Sequence, residues 1–223
     1  PSEVISGQDR PHRLTVTGMV ELPVGKGRAL GKDMHPVLDA ALGGSRYTYP
    51  SPVQLTGEPG SPIYLFFRDF HPVPDAPLWR DTFVSKSLDG GLTWSAQQPL
   101  FVNEGKRPYV HIARNGASRI DFAVTDGEPS ETAINNLYHF YYQDGQYHRS
   151  DGSVITPGPP FAPAQGTRVW DGAAHPAWGW DLAIDSEGRP MIAFAVIRSP
   201  DDHRYHAARW NGAAWVDAEI TQG

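Results

Sequence analysis

Three stretches of the chain repeat one order of landmarks, and that recurrence restricts the fold more than any other feature. The first begins at Tyr49 with YPSPVQL, continues through IYLFFRD from Ile63 and DTFVSKSLDGG from Asp81, and ends in LTWSAQQPL. The second runs YVHIARNG from Tyr109, RIDFAVTDG from Arg119, LYHFYYQDG from Leu137, then QYHRSDG. The third runs WGWDLAIDSEG from Trp178, PMIAFAVI from Pro190, YHAARWNG from Tyr205, then AAWVDAEI. Each supplies four strand-like runs, the last two joined by Asp89-Gly90-Gly91, Asp144-Gly145 or Asn211-Gly212. Such residues provide the positive φ values that hairpin turns require. An aromatic residue, Trp94, Tyr147 or Trp215, follows each turn. Tandem units of four antiparallel strands are the signature of β-propeller blades. The expectation is an all-β chain forming a single propeller domain or propeller fragment over 1–223, with blades at 47–103, 107–153 and 175–221.

The composition agrees. Gly 23 and Pro 21 accompany Trp 7, Tyr 9 and Phe 9, and no long segment spaces its apolar residues as a helix does. Propellers typically close with about four to eight blades. Three units and a strand-like remnant at 14–24 make three to four, so either the first 45 residues form a degenerate fourth blade or the chain is a piece of a larger ring; the piece is the favoured expectation, with open blade edges able to self-associate. The net charge of -6 gives no reason to expect nucleic acid or an anionic membrane as partner. There is no cysteine, hence no disulfide framework and no thiolate metal site. No run of about 18 apolar residues and no signal-peptide pattern is present.

The most recognisable motif is 87-SLDGGLTW-94, with Ser87, Asp89, Gly91, Thr93 and Trp94 at fixed spacing. The Asp carboxylate can accept hydrogen bonds from turn N–H groups while glycine takes a conformation closed to other residues, and the tryptophan covers the turn. This arrangement resembles the Asp box of BNR-repeat propellers, where it is structural and lies on the outer rim. Sialidases carry the same box, but their active site is introduced by Arg-Ile-Pro, which does not occur here; Arg119-Ile120-Asp121 sits mid-chain in a strand-like run.

A closer resemblance lies in TYPSPVQL and IYLFFR, RPYVHIARNG, NNLYHFYYQDG, WGWDLAID and HRYHAARWNG, taken in order. This series is similar to the BNR-repeat family that contains ulvan lyases and related rhamnose–glucuronate-cleaving enzymes. The resemblance implies a seven-bladed propeller, an anionic polysaccharide or oligosaccharide as substrate, β-elimination beside a uronic acid, and no cofactor. It implies Tyr49 as acid/base and Arg68 as neutraliser of the uronate carboxylate, with a histidine sharing the proton transfers. Enzymes of this type are usually exported, which implies a secreted or periplasmic location. Independently, a guanidinium near Tyr49 would favour a basic phenolate. The alternatives are a non-catalytic propeller that binds glycans or a protein, or a sialidase-like or rhamnosidase-like glycoside hydrolase.

The upstream histidines His12 and His35 lie in no convincing context. His139, between aromatics in LYHFYY, and Arg107 are candidate substrate contacts, although a strand histidine in such a setting is more often part of the core. Trp178 and Trp180 are candidate sugar-stacking residues, with one of the two expected to turn inward by strand alternation. His203, His206 and Asp201/Asp202 have the spacing of an exposed strand rather than of a metal site, and no metal is expected.

Overall fold

The computed structural model describes residues 47–71, 79–102 and 106–222; the run at 14–24, His12 and His35 lie outside them. Three antiparallel sheets follow one another along the chain. The first joins β1 (Tyr47–Gln54), β2 (Ile63–His71), β3 (Trp79–Ser87) and β4 (Gln98–Pro99) in that order. The second joins β5 (Val110–Asn115), β6 (Arg119–Thr125), β7 (Leu137–Gln143) and β8 (Gln146–Arg149). The third joins β10 (Ala177–Ile184), β11 (Pro190–Ser199), β12 (Asp202–Trp210) and β13 (Trp215–Gln222). Between the last two sheets, β9 (Thr167–Trp170) pairs with Leu137–His139 of β7, and β8 takes the rest of that strand. This is an all-β architecture of propeller blades that do not close into a ring.

The turns form where the sequence provides for them. Asp144 and Gly145 hold φ values of 51° and 81°, so β7 and β8 meet in a two-residue hairpin. Asn211 Oδ1 accepts hydrogen bonds from the N–H groups of Ala213 and Ala214, which closes the β12–β13 connection. At the β3–β4 turn, Asp89 Oδ1 accepts from Thr93 N and Ser87 Oγ, both at 2.8 Å, and Oδ2 accepts from Thr93 Oγ1 at 2.5 Å. Ser87 Oγ also accepts from Gly91 N, and Trp94 Nε1 donates to the Gly91 carbonyl. These bonds, those from Thr93 first, hold the Asp89 carboxyl down to about 2. The fourth strand of this blade is therefore only Gln98–Pro99, shorter than the run LTWSAQQPL suggests, because the box absorbs the preceding residues.

Packing follows from strands buried on both faces. Phe66 meets Phe122 at 5.0 Å and Phe122 stacks on Phe140 at 4.7 Å, joining the first blade to the second. On the other side of β2, Leu65 and Phe67 are covered by Phe83 and Trp94. Between the second and third blades, Leu182, Ile192, Phe194 and Val196 pack with Ala123 and Leu137. Each such phenylalanine contributes roughly 1.5–3 kcal/mol by burial. The consequence for function is that β1, β5 and β10 become neighbours as the innermost strands, and their N-terminal ends open on one side of the molecule.

Candidate functional site

The first inner strand carries a local irregularity. Its register slips between Thr48 and Ser51, and Tyr49 between them has a φ of 56°, a left-handed conformation uncommon for a bulky residue. The bulge leaves the Tyr49 ring 59% exposed. On the adjacent strand Arg68, paired with Thr48, is buried. Its guanidinium lies 4.9 Å from the Tyr49 ring centroid and 5.4 Å from that of Tyr109, and it donates to the Pro108 carbonyl. Two rings and a carbonyl thus hold the cation in place where the first two blades meet.

His111 enters the same hollow from β5. Its Nε2 lies 3.0 Å from the Gly179 carbonyl of the third blade. A carbonyl only accepts, so Nε2 carries the hydrogen and Nδ1 the lone pair. Burial pulls the imidazole below its ordinary value, which keeps it neutral. Gly179 gives it room: a Cβ there would stand 3.4 Å from His111 Cδ2. The Tyr109 phenol is pushed up, first by burial and then by the neighbouring Tyr49 phenol, so it retains its proton. The enclosed space is about 60 Å³, which admits a group the size of a carboxylate but not a pyranose ring. A sugar could present only a substituent to it, with the ring lying over the mouth.

The aromatic side chains continue beyond the hollow as a strip. Tyr49 meets Tyr109 at 6.3 Å, Tyr109 meets Trp178 at 5.9 Å, and Trp178 meets Trp180 at 5.0 Å. The expectation that one of the two tryptophans turns inward is corrected here. Residues two apart on a strand share a face, so the two rings lie together, and Trp180 is 51% exposed.

The remaining residues singled out in the sequence are placed differently. Arg107 is engaged by Glu131, 2.9 Å from its Nε, and by Glu128 at 3.5 Å. His139 is fully buried and has no surface to offer a ligand. Its Nε2 contacts Asp121 at 3.0 Å and its Nδ1 contacts Ser150 at 2.9 Å, while Trp215 Nε1 donates to Ser150 and Arg119 pairs with Asp121. That network ties the second blade to the third and lies inside the sheets, so His139 is corrected from a substrate contact to a core residue. His206 is buried against Asp217 at 3.1 Å. Ser87, Asp89, Gly91, Thr93 and Trp94 occupy the turn beside the Ile63–Ser87 pair, at the opposite end of the first blade from Tyr49 and Arg68. Tyr109 and His111 were missed in the sequence although YVHI places them two apart at the entrance of an inner strand.

A family model described as "BNR repeat-containing family member" matches residues 12–223. The chain belongs to that family. No curated protein sequence matches it. Among solved structures, this BNR-repeat chain is similar to an ulvan lyase of polysaccharide lyase family PL25, determined alone and bound to -[GlcA(1-4)Rha3S]-. The TM-score is 0.58 at 18% identity, covering 77% of this chain and 43% of the lyase. It is also similar to a Hadza microbial sialidase, with a TM-score of 0.52 at 12% identity, covering 79% of this chain and 38% of that one. At such identities the likeness is one of fold, the BNR-type propeller found among carbohydrate-active enzymes. The chain spans less than half the length of the lyase and sialidase structures it matches.

Proposed function

We propose that this chain carries the substrate-facing part of a polysaccharide lyase that cleaves beside a uronic acid by β-elimination, in an anionic rhamnose–glucuronate type of polymer. The observation that supports it best is the buried Arg68 guanidinium held between Tyr49 and Tyr109 at a hollow of carboxylate size. Elimination begins with loss of the proton at C5, and the electron pair left behind spreads into the uronate carboxylate. Negative charge already on that group opposes this step. A guanidinium forked onto its two oxygens offsets the charge as it grows.

His111, neutral and with its lone pair on Nδ1, suits the base that receives the C5 proton. The electron pair then forms the C4–C5 double bond as the C4–O bond breaks, and the departing oxygen takes a hydrogen from a phenol, the part given to Tyr49. The likeness to a lyase bound to a glucuronate–rhamnose sulfate repeat supports the substrate class. Elimination leaves an unsaturated uronate that absorbs ultraviolet light, whereas hydrolysis does not. One absorbance assay across uronic polysaccharides therefore separates a lyase from a glycosidase, and calorimetry with the same polymers identifies a module that only binds. Tyr49→Phe should abolish elimination while scarcely changing affinity, because it deletes only the transferable hydrogen. Full lyase activity in that variant would overturn the assignment.

A further inference from the structure

An open hollow of about 390 Å³ lies beside the outermost hairpin of the third blade, where Trp210, Ala214 and Trp215 face Asp151, Thr167 and Arg168 across the join with the second blade. That volume lies in the range of ligand pockets, about 300–1,000 Å³, unlike the hollow at Arg68. It is also far from that hollow. Trp178 stands level with Tyr205 through the pairing of β10, β11 and β12, and Trp210 comes five residues later on β12, roughly 17 Å along the strand. The aromatic strip of the inner strands therefore does not reach it, and a single sugar could not touch both.

The lining is fixed before any ligand arrives. Trp210 and Trp215 pair directly across the hairpin, with ring centroids 5.9 Å apart. Trp215 Nε1 donates to Ser150 Oγ at 2.9 Å and its ring meets His139 at 5.0 Å, while Ser150 N donates to Thr167 Oγ1 at 2.9 Å. The buried network between the blades thus sets the plane of Trp215, and Trp210 lies against it. Asn211 Oδ1 already accepts from the N–H groups of Ala213 and Ala214, and these two small residues leave the space in front of the rings open. Asp151 turns Oδ1 to Ser153 N at 2.9 Å and Ser153 Oγ at 2.7 Å, bonds that hold its carboxyl below the ordinary value and keep it a charged acceptor. Arg168 pairs with Asp171 at 3.1 Å, with both side chains more than half exposed. An exposed pair of this kind is worth about 0–1 kcal/mol, so the guanidinium can turn to a ligand oxygen at small cost.

Indole faces suit the C–H faces of a pyranose, and a carboxylate acceptor and a guanidinium donor at the rim suit the hydroxyls around its edge. We propose that this hollow is a second glycan-binding site, one that takes no part in bond cleavage and holds a stretch of polysaccharide on the outer side of the blades. A chain held at both places loses its freedom once, which raises the effective concentration of its bonds at the Arg68 hollow. That the glycan is the same polymer rests on the uronate reading; the existence of the second site does not.

Titrations of the chain with a sulfated glucuronate–rhamnose polymer and with its tetrasaccharide, followed by calorimetry and by the indole N–H resonances, test this. Arg68→Ala should remove the binding of the tetrasaccharide at the inner strands and leave the resonances of Trp210 and Trp215 responsive to it. Trp210→Ala should weaken the polymer about 3- to 10-fold and leave the binding that depends on Arg68 unchanged. Ala214→Glu, in the exposed turn, puts bulk and negative charge into the hollow with both tryptophans retained, and should weaken the polymer as much; melting curves verify that the variants are folded. Polymer affinity unchanged in both Trp210→Ala and Ala214→Glu, or glycan binding abolished entirely by Arg68→Ala, overturns the second site while leaving the uronate reading intact. Tetrasaccharide binding that ignores Arg68→Ala and is lost in Trp210→Ala supports the second site and overturns the uronate reading, and failure of both probes to bind the parent chain overturns both.

Discussion

Replacing Arg68 with lysine separates charge from geometry at the centre of the proposed site. The guanidinium donates to the Pro108 carbonyl and stands 4.9 and 5.4 Å from two ring centroids, so its plane is fixed before any substrate arrives. Lysine keeps the positive charge and fits beside the rings, but a single ammonium cannot hold that carbonyl and also meet both oxygens of a carboxylate in one plane. A hydrogen bond to a charged group is worth about 1.5–3 kcal/mol, so losing one in the transition state should slow turnover roughly 10- to 150-fold. If the whole fork neutralises the carbanion-like state, the loss should approach about 1,000-fold. Initial rates of ultraviolet absorbance on a glucuronate–rhamnose polymer, measured over a range of concentrations, separate kcat from KM. The expected result is a steep fall in kcat with a near-parental melting temperature. A lysine variant that turns over as fast as the parent would show that no fork is needed there and would refute Arg68 as the neutralising residue.

Asp89→Ala should lower the melting temperature, since the turn donors Thr93 N and Thr93 Oγ1 lose their acceptor, and should leave glycan binding at the far end of the blade unchanged. A selective loss of binding at constant melting temperature would contradict this. Because the folded Asp89 carboxyl is held at about 2 against an ordinary 3.8, its contribution is present above pH 3.8 and is lost as the pH falls through about 2; acid melts of parent and variant should converge there. Gly172→Ala should cost about 3 kcal/mol or more in denaturant melts. Its Cβ would lie 2.3 Å from the Asn135 carbonyl oxygen, and Asn135 cannot retreat while its side chain bonds both Gly127 N and the Ala177 carbonyl; a parental melt would refute this. His111 and His139 both have imidazoles drawn below the ordinary 6.5 by burial. The unfolded chain therefore takes up protons first, and stability should decline as the pH drops below 6.5 toward their folded values; a melting temperature that stays flat or rises from pH 7 to 5 would contradict it.

The blades were legible because their punctuation is local. Asp144-Gly145 can be read as a tight hairpin without knowing what the strands pack against, and the residues adopt the positive φ that the reading requires. Two features depended on distant partners and were not legible. The pairing of β9 with Leu137–His139 joins segments separated by a long insertion. His139 looked like a residue that could face a cleft because aromatics alternate around it, yet β7 is buried on both faces: Phe140 packs toward the first blade while His139 meets Trp215 of the third. In a strand covered on both sides, alternation decides which neighbour a side chain meets and says nothing about exposure.

The cleft itself was present in the sequence in a form that depends on the repeat. Each of the three repeats opens on an aromatic residue, Tyr49, Tyr109 or Trp178, and those three form the strip along the inner-strand entrances. Two positions further on stand Ser51, His111 and Trp180, of which the first two line the Arg68 hollow and the third extends the strip. Superposing one blade on the next therefore carries Tyr49 onto Tyr109 and Ser51 onto His111 before any coordinates are known. What the repeat cannot supply is the contact between blades, because the carbonyl that fixes the tautomer of His111 belongs to Gly179, in the following unit. Substitutions that alter how the second and third blades meet should thus act on His111 without touching the hollow it lines, while the Arg68 cage, built where the first two blades meet, should remain intact.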